Sequence, residues 1–340
     1  MIFVLCCCDI KLEQNSDNTN RSDDLDSFNW IPSQNLIIEL RSVGELTTDS
    51  DYIEMRSPEF IDSNNETIYI YDSDLGEVFM FDNDLNFTGV LLGESNRIDD
   101  YIHDMDVYNN TIVLAGTRQI YIYDSELRSF ANVYSIQSCA VGNNVLYAIN
   151  MPSILEPSDL LINEFTLDGR FVRSFGDYDF EDSALDQSKH RIMIEFDNEN
   201  ITLANTYFPQ VTLISEENGN YVQDNIYINE DALITRSQNN LESLATLRNV
   251  GRARFYRVFA SLNVLDEDIF MLVPNMNNTL IARIEMNGTI NSILRINRDN
   301  NPILDIDTLV QKISENVRIL IIIAEDEMEQ KIIIYEALID

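Results

Sequence analysis

The feature that most constrains this chain is a pair of strands that recurs along its length. A strand of alternating apolar residues runs into a turn rich in Asp, Glu, Asn or Gly, and a second, more polar strand follows. The clearest copy runs from Glu164 to Gly176. Successive side chains of a strand point to opposite faces, so this alternation predicts strands that bury one face.

The copies recur at a nearly regular interval. Their turns lie 42, 44, 49, 70 and 49 residues apart. The turn residues are Asp82, Asp124, Asp168, Glu217, Asn287 and Glu336. Four-stranded propeller blades repeat at about 40–45 residues. The sequence therefore predicts an all-β fold, a six-bladed β-propeller.

The last copy indicates how the ring closes. Lys331–Glu336 lies close to the C-terminus and has no outer strand after it, whereas Leu36–Gly44 reads as an outer strand without a blade. We expect this N-terminal strand to join the C-terminal blade, which would remove an unpaired strand edge. The strands that precede each copy, such as Thr111–Gly116, are predicted to be the inner strands of their blades.

The interval from Glu217 to Asn287 exceeds the usual length of a blade by about 25 residues. The excess falls at 231–250, a polar stretch in which Leu241, Leu244 and Leu247 have helical spacing. We interpret it as an insertion that contains a short helix. Insertions on one face of a repeat fold often carry binding.

The first eight residues, MIFVLCCC, are apolar and too short to span a bilayer. They resemble the end of a bacterial lipoprotein signal, in which Leu stands three residues before a lipidated cysteine. Leu5 stands three before Cys8, and Val4 three before Cys7, so Cys8 or Cys7 is the predicted lipidation site. Residues 1–8 are then the remnant of a signal.

Residues 9–35 are polar and acidic, and such a composition does not bury enough surface to fold. They are predicted to form a flexible acidic tether, with an ordinary disordered tail as the alternative, and the propeller is predicted to span 36–340. The expected location is the bacterial cell envelope, lipid-anchored, or the secreted fraction.

The net charge of −36 excludes two classes of partner. Binding to nucleic acid needs clustered Lys and Arg, so no nucleic acid is expected. Anionic lipid surfaces would repel the chain as well. A membrane is therefore expected to be reached only through the lipid anchor.

The 164–176 stretch resembles the blade ending of NHL-repeat and TolB-like six-bladed propellers, and bacterial lipoproteins of this fold are the most similar. The resemblance spans about 36–340. It implies the propeller fold and an envelope setting. It implies no single reaction, because related propellers serve as scaffolds, binders and enzymes.

Candidate catalytic groups are few. The chain has two histidines, His103 and His190, whereas a zinc site would need several that converge. No GxSxG, HExxH or P-loop motif is present. His103 is near Asp104 and Asp106, which makes a metal or acid–base role the alternative to a solvated loop histidine. Cys139 is predicted to be a buried small apolar residue. We therefore predict no catalytic residue, no metal ligand and no cofactor, with calcium held by carboxylates from several blades as the alternative.

The strongest indication of a ligand is an arginine-rich segment at 248–257. If Arg252, Arg254 and Arg257 alternate on one strand face, they could hold an anionic group through bidentate hydrogen bonds. The alternative is that these arginines neutralise neighbouring carboxylates.

The favoured function is a non-catalytic, envelope-associated binding or interaction propeller, acting as a monomer. Its partner would be an unknown protein or a small anionic ligand. The alternative is a calcium-dependent hydrolase of the propeller lactonase kind, which predicts that acidic and Asn side chains from several blades meet at the axis. A purely structural protein would have only a water-filled channel.

Overall fold

The protein is described by a computed structural model. It covers residues 30–46, 55–64, 66–92, 97–133, 136–142, 144–150, 160–177, 192–197, 200–217, 219–239, 257–275, 278–297, 304–313, 316–324 and 330–338.

The described strands form six sheets arranged as blades, which confirms the predicted six-bladed β-propeller. A 3-10 turn at Gln34–Leu36 precedes two short strands, β1 (Ile37–Glu39) and β2 (Arg41–Glu45). The first blade contains β3 (Pro58–Ser63), β4 (Thr67–Asp72), β5 (Glu77–Asp82) and β6 (Phe87–Val90). The second contains β7 (Ile102–Tyr108), β8 (Thr111–Gly116), β9 (Gln119–Tyr123) and β10 (Leu127–Ala131). The third contains β11 (Ile136–Gly142), β12 (Val145–Asn150), β13 (Leu160–Thr166) and β14 (Phe171–Asp177).

The second half of the ring repeats this arrangement. The fourth blade contains β15 (Ile192–Asp197), β16 (Asn200–Asn205), β17 (Gln210–Glu217) and β18 (Asn220–Tyr227). The fifth contains β19 (Ser261–Leu265), β20 (Asp268–Val273), β21 (Asn278–Glu285) and β22 (Ile290–Asn297). The sixth contains β23 (Leu304–Ile313), β24 (Asn316–Ala324) and β25 (Gln330–Leu338), and β2 completes it.

The first strand of each blade lies innermost. Around the ring, β3, β7, β11, β15, β19 and β23 each contact the next, and β23 contacts β3. The prediction of inner strands was therefore wrong by one position, since Thr111–Gly116 is β8, the second strand of its blade. Second strands are the most apolar because adjacent blades cover both of their faces. Inner strands are more polar because one face lines the central channel.

The ring closes across the chain termini, as predicted. Strand β2 pairs antiparallel with β25, with Arg41 opposite Glu336. Apolar side chains of the first and sixth blades then pack in one cluster, which includes Ile70 and Phe79 with Ile322 and Ile332. Burial of this surface against a neighbouring blade stabilises the closed ring.

The N-terminal segment also extends the fifth blade. Strand β1 pairs in parallel with β22, with Ile37 opposite Ile293, and becomes a fifth strand. The guanidinium group of Arg295 forms an ion pair with Glu39 across this pairing. The segment predicted as one strand, Leu36–Gly44, is thus two strands that link the fifth and sixth blades.

Packing begins before the predicted start of the propeller at Leu36. Trp30 is 4% exposed and packs in a cluster with Leu233 and Phe259. Its backbone N–H donates to Asn275 Oδ1 at 3.1 Å, and its indole Nε1–H donates to Glu230 Oε1 at 3.1 Å. The N-terminal segment is therefore held at the fifth blade by both apolar contact and hydrogen bonds.

The insertion predicted at 231–250 begins with a helix at 231–239. Leu241, Leu244 and Leu247 lie outside the described residues, as do Cys7, Cys8 and most of the predicted tether. Within the described part of the chain, none of the helices is long and apolar enough to cross a membrane.

Candidate functional site

A cavity of about 540 Å³ occupies the central channel. Side chains from all six inner strands line it, and they come from the first five residues of each strand. Tyr101, which precedes β7, is 66% exposed and also lines the cavity. The end of the channel at which the inner strands begin is therefore its mouth.

Acidic side chains dominate the polar wall of the channel. Those that line it are Glu59, Asp62, Asp104, Asp106, Glu195 and Asp307, supplied by β3, β7, β15 and β23. The basic lining residues are His103 and Arg257. The channel is therefore an acidic environment, which favours cations over anions.

Five inner-strand side chains among the described residues accept a backbone N–H from the next blade, and four of them form one set. Each accepts a hydrogen bond from a backbone N–H on the neighbouring inner strand. The pairs, with the acceptor first, are Asp307 and Ile61 (3.1 Å), Asp62 and Val107 (2.5 Å), Asp106 and Val141 (2.5 Å), and Asn263 and Val310 (3.0 Å). We call these bonds the inter-blade ring. They satisfy N–H groups that no backbone ladder reaches between blades.

Asp104, two residues before Asp106, makes a related contact to the third blade. Its carboxylate accepts hydrogen bonds from Cys139 N at 2.9 Å and from Ser138 Oγ at 2.7 Å. Cys139 is fully buried, as predicted, and burial raises the pKa of its thiol well above the ordinary value. A thiol in this state is a poor nucleophile.

Burial raises the pKa values of the channel carboxyl groups. The pKa of Asp106 rises to about 8 and that of Asp307 to about 7, with desolvation as the largest cause in both. The pKa values of Asp62 and Glu195 rise well above the ordinary range, first through desolvation and then through repulsion from Asp106. Backbone N–H donors lower the pKa values of Asp62, Asp106 and Asp307, but desolvation raises them by more.

Glu195 differs from the other deep carboxyl groups. It lies on β15 and lines the cavity, yet within the described chain it forms no hydrogen bond or ion pair. Thr206, which follows β16 in the same blade, is 2% exposed, and its Oγ1 has no hydrogen-bond partner among the described residues. Both side chains line the same cavity, but at different depths, since Glu195 is paired with Thr202 and Thr206 follows the Ile192–Asn205 pair.

The mouth contains an aromatic pair. The rings of Tyr101 and His103 meet edge to face with centroids 5.1 Å apart. His103 Nε2 lies 3.0 Å from Thr117 Oγ1. His103 is therefore a strand residue on β7 that lines the channel, whereas a loop residue was expected.

The predicted arginine site is described only in part. Arg257 lines the cavity and is exposed. Arg252 and Arg254 lie outside the described residues. The structure therefore places one of the three predicted arginines at the channel.

The carboxyl groups of the channel do not gather into one metal-binding group. Among the described residues, no three or more His, Cys, Asp or Glu side chains are arranged to hold a metal ion. The acidic and Asn side chains do meet in one channel, but they are distributed around its wall.

Sequence reasoning missed Asp62, Glu195, Asn263 and Asp307. A signal for most of them exists in the repeat. In four blades an acidic or Asn residue stands five positions before the first residue of the second strand: Asp62, Asp106, Glu195 and Asn263. This spacing places the side chain in the channel, and it was overlooked because the apolar second strand was taken as the innermost one.

Comparison with known proteins supports the fold. Neither a protein-family model nor a curated protein matches the chain. A Bacteroides fragilis protein described as exported is similar over 90% of this chain and 99% of its own, with 10% identity and a TM-score of 0.56. A streptogramin B lyase is similar over 87% of each chain, with 13% identity and a TM-score of 0.49. At 10% identity the likeness to the Bacteroides fragilis protein shows the fold alone.

Proposed function

We propose that this chain is a non-catalytic binding or interaction propeller that takes a ligand into its central channel from the mouth. The observation that carries this proposal is the cavity of about 540 Å³, which is lined by every blade. Ligand sites are typically concave, with volumes of about 300–1,000 Å³, and combine apolar walls with a few polar groups. The inter-blade ring supports a non-catalytic role, since it engages Asp62, Asp106 and Asp307 in structural hydrogen bonds.

The channel can be tested by plugging it. Gln137 lies half-buried on β11 and lines the cavity, so Gln137→Trp would fill it with a large side chain. Ligand-observed NMR with a set of small cations, anions, zwitterions and neutral compounds should find binders that the plugged variant loses. Gln223→Trp, at a half-buried position on the outer strand β18, is the matched control and should retain them. Binders that the plugged variant retains would place the site elsewhere, and an absence of binders would refute the proposal.

We also propose that the mouth of the channel binds a small anionic ligand or a protein partner. Arg257 supports it, with Arg252 and Arg254 as its proposed companions. The acidic wall would repel an anion that moved deeper, so the anionic group would stay at the mouth. Arg257→Ala should weaken binding of a small carboxylate or of an acidic protein partner; unchanged binding would remove Arg257 from the site.

The proposed setting is the cell envelope, with the protein as a monomer that reaches the membrane through a lipid on Cys8 or Cys7. The similarity to a protein described as exported supports export. Metabolic labelling with a fatty acid in bacteria tests the anchor. Label should be lost in the Cys7→Ser, Cys8→Ser double variant and kept in Cys139→Ser, and an unlabelled parent would contradict the anchor.

A second candidate is a calcium-dependent hydrolase of the propeller lactonase kind. The observation in its favour is that carboxyl groups from four inner strands and Asn263 meet in one channel. Lactone hydrolysis should then require added calcium and stop with a chelator, and calcium should raise the melting temperature. No hydrolysis and no calcium-dependent shift would count against this candidate.

A further inference from the structure

We infer that the mouth of the channel holds the carboxylate of an amphipathic organic acid between the guanidinium group of Arg257 and the hydroxyl group of Thr206. This inference rests on the proposed binding function. It names the chemical class of the ligand and adds Thr206 to the site.

The two residues lie at one place, where the fourth and fifth blades meet at the mouth. Thr206 directly follows β16, whose last residue pairs with the first residue of β15. The backbone carbonyl of Thr206 accepts hydrogen bonds from Val258 N at 2.7 Å and from Phe259 N at 3.2 Å. Arg257 comes immediately before Val258, so its backbone is held beside Thr206. Both side chains line the cavity.

Thr206 indicates that a partner is missing from this place. Its side chain is 2% exposed, and its Oγ1 has no hydrogen-bond partner among the described residues. Buried hydroxyl groups are almost always hydrogen-bonded, so one that adjoins a cavity points to a ligand atom in that cavity. A hydroxyl group can donate a hydrogen bond to an anion that is already paired with a neighbouring cation.

Arg257 determines the charge of the ligand atom. Its side chain is exposed, whereas Val258 and Phe259 after it are fully buried in the cluster around Trp30 and fix its backbone. A guanidinium group presents a planar set of N–H donors that matches the two oxygens of a carboxylate. Each carboxylate oxygen accepts more than one hydrogen bond, so the Thr206 hydroxyl can donate to an oxygen that Arg257 already holds.

The acidic wall limits where this anion can lie. Glu195, the carboxyl group of the same blade, pairs with Thr202, four residues before Thr206 and on the order of 10 Å away along the strand. Glu59 also lines the mouth, but it belongs to the first blade, opposite the fourth in a ring of six. Repulsion weakens with distance, so a carboxylate is favoured at Arg257 and disfavoured deeper in the channel. The ligand should therefore carry a single acidic group at one end.

The wall beside the pair is apolar. Ile192 and Met193 begin β15, Ala260 directly precedes β19, and all three line the cavity. Burial of a hydrocarbon body against them is favourable, whereas burial of a second charged group is costly. A monocarboxylate with an alkyl or aryl body meets both conditions.

Isothermal titration calorimetry of the full chain with sodium hexanoate at pH 7 tests the inference. The expected result is saturable binding at one site. Hexanol and hexylammonium chloride keep the hydrocarbon chain and replace the carboxylate, so each should bind at least tenfold more weakly.

Five variants examine the two residues. Arg257→Gln should weaken hexanoate binding at least tenfold, and Arg257→Lys, which keeps the charge without the planar donors, several-fold. Thr206→Val removes the hydroxyl with little change of shape and should weaken binding several-fold, whereas Thr206→Ser keeps the hydroxyl and should retain it. Arg170→Gln, in the exposed turn between β13 and β14, is the control and should leave binding unchanged.

Several outcomes would overturn the inference. Unchanged hexanoate binding in Arg257→Gln or in Thr206→Val would remove that residue from the site, and Arg257→Gln decides if Thr206→Val does not fold. Tighter binding of hexylammonium than of hexanoate would assign the mouth to cations. Binding of inorganic phosphate without hexanoate would exclude the carboxylate. If hexanoate does not bind but other compounds do, and Gln137→Trp loses them, the carboxylate site is refuted and the proposed function stands.

Discussion

Asn263 Oδ1 accepts a hydrogen bond from the backbone N–H of Val310 at 3.0 Å, across the boundary between the fifth and sixth blades. Asp307, Asp62 and Asp106 do the same at three other boundaries. An amide therefore suffices for the bond that joins two blades. The carboxyl groups make the channel acidic and give it groups with raised pKa values, neither of which is required for the inter-blade hydrogen bond.

The buried carboxyl groups should make stability fall as pH rises. The pKa of Asp106 is about 8 in the folded chain against an ordinary value of 3.8, so the folded state keeps a proton that the unfolded state loses. The stability that this proton contributes is complete below about pH 4 and is lost as pH rises towards 8. In Asp106→Asn, the slope of unfolding free energy against pH should be less negative by up to about 1.4 kcal/mol per pH unit between these limits.

Urea unfolding at a series of pH values measures this slope. Asp224→Asn makes the same chemical change at an exposed position on β18 and should keep the parent slope. A parent protein whose stability is flat between pH 5 and 7 would contradict the expected protonation of the channel.

Asn263 allows the hydrogen bond and the charge to be separated. Asn263→Leu leaves the Val310 N–H without its side-chain acceptor, and should cost about 1–3 kcal/mol at every pH. Asn263→Asp keeps an acceptor for Val310 but adds a buried carboxyl group near Asp307. Its cost should be small at pH 4 and grow towards pH 8. Equal costs for the two variants at both pH values would show that the charge has no role.

Trp30 should stabilise the ring from outside the blades. Trp30→Ala removes a large side chain that is 4% exposed, so it should cost about 3–5 kcal/mol. Trp30→Phe keeps most of the packing but loses the bond to Glu230, which contributes about 1 kcal/mol. Chemical denaturation compares the two. If alanine is tolerated as well as phenylalanine, Trp30 is not part of the packed fold in solution.

Two glycines form a matched test of close packing. Gly169 and Gly219 share a φ of +81°, a conformation that costs an L-residue about 1–2 kcal/mol. A Cβ on Gly169 would lie 2.6 Å from Phe130 of the neighbouring blade, whereas one on Gly219 would meet nothing within 4 Å. Gly169→Ala should therefore lower the stability by about 1–3 kcal/mol more than Gly219→Ala. Equal melting temperatures would mean that Phe130 moves aside without cost.

Much of the architecture could be predicted from the residues in order. Alternation within a strand and the interval between turns are properties of neighbouring residues, and they indicated six blades. The unpaired last copy and the orphan strand at Leu36–Gly44 indicated the closure. The local pattern could not show that Ile37–Glu39 and Arg41–Glu45 join different blades, because pairing with β22 or β25 depends on partners more than 250 residues away.

The candidate site was decided only by the tertiary structure. Asp62, Asp106, Glu195 and Asp307 lie in different blades, and each alone is an ordinary acidic residue next to an apolar one. Closing the ring brings them around one channel, removes them from water and places them near one another, so their pKa values rise. Desolvation and repulsion are properties of that enclosed space. The sequence determined the propeller, and the ring it forms gathered scattered carboxyl groups around one acidic channel.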